Sequence, residues 1–87
     1  MEEPFITISN YTDRPFKMEI KAGDKVVYDL YLSDSFSDVE IFSEPFEFSI
    51  SDKGELLPIM HCDSISKFMI VENEIEGVRF YMLEQSA

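Results

Sequence analysis

The sequence predicts one small all-β domain, an antiparallel sandwich or barrel of about six to eight short strands. Three segments carry that expectation because each alternates with period two, the mark of a half-buried strand. Phe16, Met18 and Ile20 alternate with Lys17, Glu19 and Lys21. Phe46, Phe48 and Ile50 alternate with Glu47, Ser49 and Ser51, and Val78, Phe80 and Met82 alternate with Arg79, Tyr81 and Leu83. The 87 residues fit a single domain, residues 1–87, without a linker or internal repeat. With 45% apolar and 14% aromatic residues, the chain can bury a core despite its acidity.

Further elements follow in chain order. Phe5–Ser9 sets Ile6 and Ile8 on one face. Val26–Leu32 sets Val26, Tyr28, Leu30 and Leu32 on one face and Val27, Asp29 and Tyr31 on the other. Val39–Phe42 reads as a short strand. Leu56–Cys62 contains Pro58, which cannot donate to a ladder and so marks an edge or bulged strand. Ile65–Val71 is apolar on both faces at its end, as expected of a central strand. Between strands, Ala22-Gly23-Asp24-Lys25 and Ser51 to Glu55 carry turn chemistry suited to short hairpins. Asn10 to Pro15 and Glu72 to Gly77 read as longer connections. Ser33 to Glu40 allows at most one short helical turn, capped by Ser33 or Ser35.

Eighteen acids against seven bases give a net charge of −11. Residues 1–28 hold five acids and four bases, and residues 29–87 hold thirteen acids and three bases. Such a field repels nucleic acid and anionic membranes and attracts basic surfaces. It also exceeds the magnitude of about 2–8 that keeps a small domain soluble. No apolar run exceeds the four residues of Phe68 to Val71, far short of the ~20 that span a bilayer. The start shows no basic and apolar leader, and Cys62 is the only cysteine. A soluble, cytoplasmic protein is expected. Asn10-Tyr11-Thr12 matches the glycosylation sequon, and without an export signal it reads as a turn.

No catalytic constellation stands out. His61-Cys62-Asp63 contains a nucleophile, a base and an orienting acid, yet neighbours on a strand point to opposite faces. A zinc site wants about four ligands, and no second His or Cys exists to supply them. Asp34-Ser35-Phe36-Ser37-Asp38 lacks the glycine and terminal glutamate of a calcium loop, so a solvated loop is the reading. Three glycines leave no phosphate-cradling loop. Neither enzyme activity, nor a cofactor, nor a metal is expected.

The informative set faces outward. Val27, Tyr31, Phe42, Tyr81 and Leu83 are expected on the face opposite the main core, among Asp29, Glu40 and Glu84, unless they form the second layer against Met69 and Val71. Tyr is favoured at interfaces. With the acids at Asp34, Asp38 and Glu44, this yields a candidate partner-binding set: Asp29, Tyr31, Asp34, Asp38, Glu40, Phe42, Glu44 and Tyr81.

In size, charge and lack of catalytic residues, the chain is similar to small acidic inhibitor proteins of phages and mobile elements. Many of those are nucleic-acid mimics that block DNA-binding host defences, CRISPR effectors among them. The resemblance implies a non-enzymatic inhibitor, monomeric or homodimeric. Its carboxylates would stand where phosphates lie on the basic surface of a nucleic-acid-binding protein. The alternative is a structural or adaptor β module that acts by sheet-edge pairing or self-association, with Leu56–Cys62 as the edge.

Overall fold

A computed structural model describes residues 3–33, 37–53 and 60–86. Eight strands are formed by these residues: β1 (Ile6–Asn10), β2 (Phe16–Ala22), β3 (Lys25–Leu32), β4 (Ser37–Ile41), β5 (Phe48–Asp52), β6 (Met60–Cys62), β7 (Ser66–Ile75) and β8 (Val78–Ser86). They form two four-stranded sheets, ordered β4-β1-β7-β8 and β3-β2-β5-β6, packed face to face. The predicted sandwich is therefore the fold, and the barrel alternative does not arise because neither sheet closes. Among the described residues no helix forms, and none is long and apolar enough to cross a membrane.

The alternation read from the sequence explains the core. Phe16, Met18 and Ile20 of β2 and Phe48 and Ile50 of β5 point inward from one sheet. They meet Ile6, Ile8, Ile41, Phe68, Ile70 and Leu83 from the other. Neighbouring strands are antiparallel except β1 and β7, which run parallel with Ile6 beside Ser66 and Ile8 beside Phe68. That pair lies at the centre of its sheet.

One end of the sandwich is filled by aromatic rings. Phe5 sits 5.5 Å from Phe46 and 5.4 Å from Phe48 between ring centroids, and Phe48 meets Phe68 edge-on at 6.3 Å. At the other end of β1 stands Asn10, which is fully buried. Its amide nitrogen donates to the Arg14 carbonyl at 2.8 Å and the Ser33 carbonyl at 3.0 Å. Its oxygen accepts from the Thr12 N–H at 2.9 Å and the Thr12 hydroxyl at 2.8 Å. Every donor and both lone pairs of the side chain are thus used. Asn10 is not in a turn but ends β1, the chain bends only from Thr12 on, and the amide that the sequon would offer for glycosylation is enclosed.

Three further expectations differ in detail. Glu72 to Gly77 is not a long connection: β7 continues to Ile75, and Glu76-Gly77 alone make the turn, with φ of 51° and 81°. Positive φ at both central residues is the type I′ hairpin, whose twist matches that of the strands it joins. Val26 does not share a face with Tyr28, Leu30 and Leu32. Ile20 opposes Tyr28 while Lys21 opposes Val26, so Val27 is the extra residue of a bulge and Val26 turns outward. Within Ser33 to Glu40, residues 37–40 belong to β4, and residues 34–36, where the helical turn would begin, lie outside the described residues. Of Leu56–Cys62, Met60–Cys62 forms β6 at a sheet edge, as expected of that segment, and Pro58 lies outside the described residues.

Two stability predictions follow from these local geometries. Asn10→Ala removes four hydrogen bonds at once: the Arg14 carbonyl keeps only the Thr12 hydroxyl, the Ser33 carbonyl keeps only the Ser37 hydroxyl, and the Thr12 N–H loses its Asn10 acceptor. A bond lost costs about 1 kcal/mol and a group left unsatisfied about 1–3 kcal/mol. A loss on the order of 3 kcal/mol is expected, read as a fall in Tm of about 12–24 °C; an unchanged Tm would remove Asn10 from its structural role. Glu76→Asn relieves a non-glycine residue at positive φ and is expected to gain about 0.5–1 kcal/mol in urea unfolding.

Candidate functional site

The residues singled out from the sequence divide among three places. Asp29 and Tyr31 project from β3 on the outer face of the β3-β2-β5-β6 sheet, opposite Glu19 and Lys17. Asp38 and Glu40 project from β4 on the outer face of the other sheet, opposite Ser9 and Thr7. Phe42 and Glu44 follow in the connection to β5, where both are exposed. β3 and β4 are the edge strands along one side of the sandwich and touch each other. Asp29, Tyr31, Asp38, Glu40, Phe42 and Glu44 therefore flank one lateral edge, from its two opposite outer faces. Asp34 lies outside the described residues.

Tyr81 and Leu83 do not belong to that outward set. Leu83 is buried in the core, and Tyr81 packs against it from the inner face of β8. The Tyr81 ring meets Phe16 edge-on at 5.6 Å, with the Arg14 guanidinium 5.0 Å from its centroid and 5.2 Å from that of Phe16. β8 is apolar on both faces, so alternation could not decide which face turns in. The structure turns Tyr81 and Leu83 inward and leaves Phe80 and Met82 half-buried on the outside. Tyr31 and Phe42 remain outward, 60% and 51% exposed.

Charge is segregated between the two sheets. β4, β7 and β8 carry Asp38, Glu40, Glu72, Glu74 and Glu84 against Lys67 and Arg79. β2, β3 and β5 carry three acids, Glu19, Asp29 and Asp52, against three bases, Lys17, Lys21 and Lys25. Several charges of the balanced sheet are also paired locally. Lys53 bonds Asp29 at 3.0 Å, and that carboxylate holds the Lys53 ammonium above the usual lysine range through the hydrogen bond and its charge. Lys21 lies 3.6 Å from Glu19. On the other sheet, Asp38 and Glu40 have no ion-pair partner among the described residues, while Arg79 reaches Glu72 at 3.3 Å. The hairpin acids Glu72, Glu74 and Glu76 were not singled out from the sequence. The signal was the Glu-Gly pair flanked by apolar residues, which marks a tight hairpin.

The tempting triplet is held apart. His61 is exposed on β6 opposite Ser49, while Cys62 points to the other face, half-buried, with its sulfur 4.0 Å from the Gln85 side-chain oxygen. Among the described residues, no three His, Cys, Asp or Glu side chains gather where a metal ion could be held. The surface depressions are small. One is lined by Glu3, Phe42, Ser43 and Glu44, and another by Arg14, Pro15, Lys17, Tyr31 and Lys53.

His61→Ala and Cys62→Ser are expected to leave biological activity within about twofold of the parent, because geometry gives the two side chains no shared proton or metal. Stoichiometric zinc in the purified protein, or lost activity with an intact far-UV spectrum, would contradict this.

Comparison of the chain with protein-family models, with curated proteins and with solved structures finds no match.

Proposed function

We propose that the chain is a non-enzymatic binding protein that engages a basic protein surface through its acidic sheet and the adjoining 42–44 connection. The supporting observation is the segregation of charge: Asp38, Glu40 and Glu84 project from one outer face whose one strand-borne base is Lys67. Charges merely dispersed for solubility have no need to collect on one sheet while the other stays balanced. A face of one sign raises the local concentration of an oppositely charged partner and speeds its docking. In its finer form, the protein is a nucleic-acid mimic of the kind that phages direct against DNA-binding defences, CRISPR effectors included. Its carboxylates then occupy the positions of phosphates on a nucleic-acid-binding target. The cytoplasm is the compartment this reading requires, and an unpaired Cys62 is at home there.

The test is charge reversal by sheet. Asp38, Glu40, Glu44 and Glu84 are replaced together by Lys, beside a control set at the exposed Asp13, Asp24 and Asp63. Partners are captured from extract at about 50 and about 500 mM salt, a roughly threefold change in Debye length. The first set is expected to slow association at least about tenfold at low salt and to flatten the salt dependence, as steering charges do. The control set is expected to change little, since exposed ion pairs contribute about 0–1 kcal/mol each. Double-stranded DNA is expected to compete with the captured protein for binding. The proposal is falsified if both sets bind alike and the parent is indifferent to salt.

A further inference from the structure

The two sheets end in four edge strands, and an unpaired edge invites another strand unless it is short, bulged or covered. Three of the four are blunted. β4 spans five residues, β6 spans three as described, and β3 carries the bulge at Val27. β8 is different. It runs nine residues from Val78 to Ser86 without proline or register shift, and among the described residues it pairs with β7 alone.

The free groups on that edge can be named. A two-residue turn makes Ile75 and Val78 a hydrogen-bonded pair, so Val78, Phe80, Met82 and Glu84 spend their backbone groups on β7. The bond from Tyr11 N–H to the Ile70 carbonyl agrees, because Ile70 then faces β1 rather than β8. The N–H and C=O groups of Arg79, Tyr81, Leu83 and Gln85 therefore point away from the sheet. Beside them on the outer face runs an apolar band, Met69, Val71 and Ile75 of β7 against Val78, Phe80 and Met82 of β8. Ile75 and Val78 are 63% and 66% exposed. Glu84 borders the band and Glu76 stands at its turn, while Glu72 and Glu74 project from the opposite face of the same hairpin, opposite Tyr81 and Arg79.

We propose that β8 receives an added strand from the partner, an extended basic segment whose apolar residues alternate with Lys or Arg. Its apolar side chains extend the band beside Phe80 and Met82, and its cations meet the surrounding glutamates. A second copy of the chain is the poorer occupant, because it brings another −11 to an edge already ringed by carboxylates. This inference rests on the reading that the partner is basic. It adds the place and the mode of contact: main-chain bonds for affinity, alternate side chains for specificity.

The test uses the full chain and a capped synthetic peptide of about eight residues alternating lysine and valine, with a glutamate–valine peptide as control. Amide hydrogen exchange is followed by NMR. The lysine peptide at millimolar concentration is expected to protect the amides of Arg79, Tyr81, Leu83 and Gln85, and the glutamate peptide is not. Gln85→Pro removes one outward donor and leaves the β7 ladder intact; Phe80→Ser with Met82→Ser removes the band. Each is expected to weaken peptide binding at least about fivefold, and the serine pair keeps the test decisive should the proline variant not fold. Shifts at Asp38, Glu40 and Glu84 without β8 protection overturn the edge contact and leave the basic-partner reading standing. Equal protection by both peptides overturns the basic-partner reading instead. No protection at all overturns the inference. Protection that grows with protein concentration in the absence of peptide assigns the edge to a second copy.

Discussion

The side chain of Asn10 is the contact on which the arrangement of the two sheets depends. The chain leaves β1 of one sheet for β2 of the other, and later leaves β3 to return as β4. Both crossings pass the same point. Asn10 bonds the Arg14 carbonyl of the first and the Ser33 carbonyl of the second, and the Ser37 hydroxyl donates to that same Ser33 carbonyl. A buried amide with every site engaged is rigid, since any rearrangement breaks several hydrogen bonds at once. At the opposite end of β1 the closure is apolar, through Phe5, Phe46, Phe48 and Phe68. There Ser66 N–H bonds the Phe5 carbonyl and ties the approach to β7 onto the same strand. A polar latch and an aromatic plug thus hold β1 between its antiparallel and parallel neighbours.

What this closure leaves outside gives the molecule its character. Once Phe16, Met18 and Ile20 meet Ile6, Ile8 and Ile70, each sheet has one face in the core and one in solvent. The outer face of the β3-β2-β5-β6 sheet mixes lysines with acids that pair with them. The outer face of the other sheet carries acids at β4 and an apolar band along β7 and β8. The hairpin also outruns the core. Ile70 and Leu83 are its last buried pair, Tyr81 is covered by Phe16 and Arg14, and nothing from Asn73 to Phe80 is buried. An overhanging ribbon with apolar side chains and glutamates is costly in isolation, because exposed apolar area gains nothing from folding. Under the proposed reading, the partner's strand covers this ribbon, which would connect the charge of the chain to the shape of its surface.

Local chemistry by itself determined the strands. Period-two alternation in 16–21 and 48–51 needs no tertiary information, because a strand with one apolar face has one stable way to bury it. The same logic held His61 and Cys62 apart. Alternation fails where both faces are apolar: Tyr81 and Leu83 could have been outside and Phe80 and Met82 inside, and only the stacking on Phe16 and Arg14 decided otherwise. It fails again at a bulge, where one unpaired residue at Val27 reversed the side on which Val26 stands. The acidity was legible as a number for each stretch of chain. That the acids of β4, β7 and β8 share one sheet, away from Lys17, Lys21 and Lys25, was not, since it follows from strand order. Strand order is fixed by which distant faces pack together, and no stretch of the sequence contains that information alone.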